Sequence, residues 1–153
     1  MVKRRVAQPG DVYKIPVSGK FVLAIVVSKN SFGTAFAFVD KVFNDVPDRL
    51  DRETPLLKHP IYSDEKLLRD GQWIFVFNDE SILEKANTQP EIYHSPDMDP
   101  EYGPYGLAEA PNGKLRKISK EEADEVGLLV GGYHQAMMPD EIEQSVVRDI
   151  VGS

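Results

Sequence analysis

The chain has 153 residues, 41% of them hydrophobic, a formal net charge of −7 and no cysteine. That length and apolar fraction predict one globular domain over residues 1–153, and the missing cysteines exclude a disulfide framework, a thiolate metal site and a cysteine nucleophile. The negative charge argues against nucleic acid as a partner, because that affinity rests on Lys and Arg displacing counterions from phosphate.

Met1-Val2-Lys3-Arg4-Arg5 begins like the basic region of a signal peptide, but no apolar region follows before Gln8-Pro9-Gly10-Asp11, so secretion by that route is not expected. The longest apolar run, Phe21 to Val27, is far short of the ~20 residues a membrane-spanning helix needs. No membrane partner is expected, and zero cysteines fit a reducing cytoplasm.

Gly10 to Asp40 holds three strand-like runs cut by turn signals. Tyr13, Ile15 and Val17 alternate with Lys14 and Pro16, the period of a strand with one wet face, and Pro16 predicts an edge or strand-end position. After Ser18-Gly19-Lys20, the unbroken apolar run Phe21 to Val27 predicts a central strand. Asn30-Ser31-Phe32-Gly33 turns the chain into Thr34 to Val39, where Phe36 and Phe38 share one face and Ala35, Ala37 and Val39 the other. Both runs predict burial on two sides.

Asn44 to Glu53 is charged, carries Pro47, and predicts a loop with one helical turn. Ile61-Tyr62-Ser63 predicts a short strand after His59-Pro60. Gln72 to Phe77, between Asp70-Gly71 and Asn78-Asp79, predicts a second two-faced apolar strand in the same sheet. Pro90 to Pro111, rich in Pro, Gly, Asp and Tyr, predicts a long structureless loop, the kind that is mobile or functional. Lys114 to Ile118 predicts an edge strand after Asn112-Gly113. Ser119-Lys120-Glu121-Glu122 is a capping box that opens a helix ending near Gly127. Gly131-Gly132 interrupts the chain, and Pro139-Asp140-Glu141 opens a last helix with Ile142, Val146 and Ile150 in an apolar stripe, flanked by Val147 and Val151. The fold class expected is α+β, a curved antiparallel β-sheet from the N-terminal half with C-terminal helices packed on it.

Chemistry-bearing patterns are sparse. His59, His94 and His134 are scattered, with no nucleophile elbow and no pair at metal-binding spacing, so neither a catalytic residue nor a cofactor is expected. Asp97-Met98-Asp99-Pro100-Glu101 has the carboxylate alternation of a calcium loop but places Tyr102 where that loop needs Gly, so a solvated acidic loop is expected. Gly103-Pro104-Tyr105-Gly106 lacks the Lys and helix of a phosphate cradle. Two stretches are candidates for binding a protein partner: Asp45, Asp48, Asp51 and Glu53, diluted by Arg49 and Arg52, and Asp97, Asp99 and Glu101 with Tyr102 and Tyr105, whose rings suit recognition. Charge alone does not choose between them. Trp73 is expected in the core.

Gly10-Asp11-Val12-Tyr13-Lys14-Ile15-Pro16-Val17, the short Gly turn and apolar strand after it, Phe38 to Phe43, Gly71-Gln72-Trp73-Ile74 and the helix start Ile118 to Ala123 together resemble the immunity protein 26 family. The likeness spans roughly Gly10 to Val147 and rests on order and spacing. It implies a bacterial cytoplasmic protein that binds and neutralises a cognate protein toxin of basic charge, a nuclease for example, by covering its active site or substrate groove. It carries no catalytic residue. The same opening segment is similar in outline to MazF-type endoribonuclease toxins, but Phe21-Val22-Leu23 has no arginine at the corresponding strand start, so RNA cleavage is not expected. A third reading is a domain that holds a small ligand between sheet and helix beside Trp73.

Overall fold

The computed structural model describes residues 6–51, 53–128 and 138–152, with Pro139 described by its backbone. Strands β1 (Asp11–Val17), β2 (Lys20–Asn30), β3 (Gly33–Phe38), β4 (Ile61–Ser63) and β5 (Ile74–Asn78) form an antiparallel sheet in the order β4-β3-β2-β1-β5. The Phe21 to Val27 run is therefore at its centre, where both neighbours and both faces are covered. Register shifts between Val12 and Tyr13 against β5, and between Val26 and Ser28 against β3, bend the strands.

Alternation sorts the side chains onto two faces. Tyr13, Ile15, Val22, Ala24, Val26, Phe36 and Phe38 lie in one core cluster with Trp73, Ile142, Val147 and Ile150. Val12, Leu23, Ile25, Ala35, Ala37 and Val39 lie in the other, closed by Leu50 and Ile82 from loops. The first face is sealed by the C-terminal helix: α3 (Pro139–Ile142), a π turn over Glu143–Val147, and α4 (Arg148–Gly152). The π turn inserts a residue into the helical repeat, so Val147 rather than Val146 follows Ile142 into the core. The short α1 (Lys66–Arg69) precedes β5 and contributes the buried Leu67.

Pro16 meets its predicted position through backbone direction. Phe21 exchanges both its backbone hydrogen bonds with Phe43, at 2.8 Å each, so its polar groups turn away from β1. Pro16, opposite Phe21, likewise turns its nitrogen away from β2, beyond the last β5 pair at Lys14 and Ile74. A residue without an N–H leaves no ladder bond unmade there.

Three expectations are corrected. The Gln72 to Phe77 run pairs in the main sheet, but as its edge, so Ile74 and Phe75 stay 40% and 36% exposed instead of being buried on two sides. The Asn44 to Glu53 loop has no helical turn among its described residues. The Pro90 to Pro111 stretch is structured: β6 (Ile92–His94) and β7 (Leu107–Glu109), with β8 (Leu115–Lys117), build a second antiparallel sheet in the order β6-β7-β8. Between β6 and β7 run two 3-10 turns, Pro96–Met98 and Pro100–Tyr102. Strands of three residues are too short for their alternation to register, and the prolines between them mask the pairing.

Helix α2 (Lys120–Glu125) packs on this second sheet through Ala108, Ile118 and Ala123, with Tyr93, Tyr105 and Leu128 beside them. Its capping box is half made. Ser119 Oγ accepts from Glu122 N at 3.2 Å, while the Glu122 carboxylate turns to Arg116. The second sheet is tied to the first by Ile92 in the main core, by the Tyr62 hydroxyl donating to Pro90 O at 2.6 Å, and by a Lys58–Glu125 ion pair. No helix among the described residues is long and apolar enough to cross a membrane. Met1 to Arg5, Arg52, Gly131-Gly132 and His134 lie outside the described residues.

Candidate functional site: an acidic cleft

Asp11 fixes where β5 ends. Its buried carboxylate accepts from Gln8 N and from Asn78 Nδ2, both at 2.9 Å, and Asp79 N donates to Gly10 O at 2.9 Å. The chain then leaves the sheet into the 3-10 turn Glu80–Glu84, headed by Asp79, whose carboxylate accepts from Ser81 N at 3.1 Å. Ile82 of that turn and Leu50 of the preceding loop are both buried in the main core. The two segments therefore stand side by side, each pinned by one apolar side chain.

Between them opens a cleft of about 880 Å3 lined by Asp48, Arg49, Leu50 and Asp51 on one side and by Phe77, Asp79, Ile82, Glu84 and Lys85 on the other. The lining holds the carboxylates Asp48, Asp51, Asp79 and Glu84 against the cations Arg49 and Lys85, over an apolar floor of Leu50, Phe77 and Ile82. Two of those carboxylates also hold the walls. Asp51 Oδ1 accepts from Glu53 N at 2.9 Å, and Thr54 Oγ1 accepts from Asp51 N at 3.0 Å. Lys85 Nζ donates to Thr54 O, bracing one wall against the other. Asp48 and Glu84 are exposed and cap no turn among the described residues.

The first predicted acidic run is divided by this geometry. Asp48 and Asp51 face the cleft; Glu53 lines a smaller one of about 320 Å3 with Lys41, Phe43 and Arg49; Asp45 is exposed and lines neither. Asp79 and Glu84 belong to the cleft without having been foreseen, because Asn78-Asp79 reads as a strand end and Glu84 as an isolated charge.

The second predicted run lies on the other sheet. Asp99 heads a 3-10 turn by accepting from Glu101 N at 2.9 Å, Asp97 and Glu101 are exposed, and the Tyr102 ring sits 5.8 Å from His94. Tyr105 is partly buried, packed against the core of the small sheet. None of these residues lines the cleft.

Charged chemistry missed from sequence gathers at Arg116. Its guanidinium binds Glu91 through Nε at 3.0 Å and Nη2 at 2.8 Å, and Glu122 through Nη1 at 2.8 Å and Nη2 at 2.6 Å. Hydrogen bonding to Arg116 holds the Glu122 carboxyl below its ordinary range. Tyr93, beside it, is pushed up to about 12 by burial first and by the Glu122 and Glu91 charges next. The four Arg116 bonds join β8 to α2 and to Glu91, the residue before β6. His94 Nε2 contacts Glu109 Oε1 at 2.9 Å, and His59 is half-buried beside Lys58 and Glu122. Among the described residues no group of three or more His, Asp or Glu side chains converges as a metal site.

A carboxylate-rimmed cleft with an apolar floor suits a cationic side chain, which sets its head among the acids and its aliphatic stem against Leu50, Phe77 and Ile82. Trp73 is not part of it: the ring is 1% exposed, edge-on to Phe36 at 5.5 Å. Comparison with family models, with curated proteins and with solved structures finds no match.

Proposed function

We propose that the chain is an immunity protein, acting in the cytoplasm of its producer, that binds and neutralises a cognate protein toxin of basic charge by covering the surface the toxin works with. The observation that carries this reading is the cleft lined by Asp48, Asp51, Asp79 and Glu84, four carboxylates against the two cations Arg49 and Lys85, on segments that Leu50 and Ile82 anchor in the main core. Such a surface speeds encounter with a basic partner and discriminates against acidic ones. The order of strands and turns that resembles the immunity protein 26 family supports the same reading.

The test is co-purification with the product of an adjacent toxin gene, and rescue of cells that express it. Capture that weakens with salt, and that falls by tenfold or more in an Asp48→Lys, Glu84→Lys double variant, is the expected result; tenfold corresponds to about 1.4 kcal/mol. Neither residue heads a turn, so the variant keeps the fold. No capture and no rescue would overturn the reading, and metal-independent cleavage of single-stranded RNA by the purified chain would replace it with an enzyme.

A further inference from the structure

The second sheet ends in an open edge whose chemistry differs from the cleft. Ala110 N donates to Lys114 O at 2.9 Å, and Ile118 N donates to Gly106 O at 3.2 Å. With the register Ala108 to Arg116, these set the bonded pairs of the β7-β8 ladder at the even-numbered residues. The intervening residues of β8, Leu115 and Lys117, therefore point their N–H and C=O groups away from β7. β8 is the last strand in its sheet order, so those groups face outward.

The side chains along this edge also stand apart. Leu115 is 61% exposed. Arg116 is turned to the opposite face and is ion-paired with Glu91 and Glu122. Lys114, Lys117 and Lys120 are exposed and make no ion pair with another described residue. In a chain of net charge −7, these three lysines stand within seven residues of one another, with the exposed Glu121 as their acidic neighbour.

We propose that the outer edge of β8 takes up an extended acidic segment of a partner protein as an added strand, with Leu115 and Lys117 supplying the main-chain bonds and Lys114, Lys117 and Lys120 selecting the charge. Strand addition draws affinity from the unpaired ladder and specificity from the side chains that flank it. Lysines on an edge also deter pairing with a second copy, because two β8 edges would bring like charges together. The same lysines that repel a copy attract a carboxylate-bearing strand. This surface is separate from the cleft, and its test does not depend on the identity of any toxin.

The experiment is an NMR titration of the full chain with a short capped peptide of alternating glutamate and valine, against a lysine and valine peptide of equal length. Saturable shifts and slowed amide exchange centred on Leu115 and Lys117, with the lysine peptide at least about tenfold weaker, are expected. Leu115→Pro removes an outward donor while sparing the β7-β8 bonds, and should abolish the response. Lys114→Glu with Lys117→Glu should reverse the peptide preference, and it keeps the proposal falsifiable if the proline variant does not fold. Shifts that map elsewhere, equal binding of both peptides, an unchanged response in folded Leu115→Pro, or an unchanged preference in the charge reversal would each overturn it.

Discussion

The indole N–H of Trp73 donates to the carboxylate of Glu143 at 2.7 Å, joining the start of the edge strand to the π turn of the C-terminal helix across 70 residues of sequence. The ring beneath that bond is 1% exposed, so the N–H has no alternative partner in water.

Truncating the acceptor should therefore cost more than an exposed glutamate usually does. Glu143→Ala is expected to lower stability by about 1–3 kcal/mol, the cost of a stranded buried donor, while Glu143→Gln keeps an acceptor and loses less. Trp73→Ala, which also empties the space against Phe36, should lose about 3–5 kcal/mol. Urea unfolding midpoints at constant slope measure all three.

Asp11 ties the turn before β1 to the end of β5. Asp11→Ala leaves Gln8 N and Asn78 Nδ2 without their acceptor and is expected to cost about 2–3 kcal/mol. Because Asp79 follows directly, the same change should loosen the wall of the cleft. Faster amide exchange at Asp79 and Ser81 than at the centre of β2 would show it.

Two glycines of the small sheet should respond very differently. A Cβ at Gly106, where φ is +96°, would lie 2.3 Å from His94 O and 2.9 Å from Leu128 Cδ2, so Gly106→Ala is expected to cost more than about 2 kcal/mol. Gly113 has φ of +89° with nothing within 4 Å, so Gly113→Ala carries only the backbone term, about 1 kcal/mol. Thermal unfolding of the two variants separates a packing clash from conformational strain.

His59 supplies an acid-side pH dependence. Burial and the neighbouring Lys58 hold it below its ordinary value of 6.5, against the opposing pull of Glu122, so folding favours the neutral ring. A depressed folded value means that this stability is present above 6.5 and lost as pH falls below it. Wild-type unfolding midpoints should drop between about pH 7 and pH 5 by more than those of His59→Gln, since shared carboxylates act on both.

Tyr93 supplies the alkaline counterpart. Its value, pushed up from 10.0 to about 12, means that the neutral phenol is favoured in the fold. The associated stability is whole below pH 10 and is lost as pH rises toward 12. The tyrosinate absorbance lost in Tyr93→Phe should appear well above pH 10. Glu122 behaves oppositely: its lowered value gives stability above 4.5 that is lost as pH falls below it, and Arg116→Ala should raise the Glu122 titration, read by carboxyl carbon NMR.

What the sequence by itself determined is the main sheet. Phe21 to Val27 and Thr34 to Val39 have no polar face, and such runs are stable only with cover on both sides, so their burial follows from composition. The short strand at Ile61, the Ser119 helix start and the apolar stripe from Ile142 were legible for the same reason: a turn or cap signal beside a clear period. Tertiary structure decided the rest. The three-residue strands β6 and β7 are stable only through their neighbours, and β5 is an edge because it pairs with β1 alone. The cleft joins Asp48 and Asp51 to Asp79 and Glu84 because Leu50 and Ile82 enter one core, a contact with no local trace in the chain. Half of the candidate site was therefore visible as an acidic run, and the other half came into being only when distant segments were folded against the same sheet.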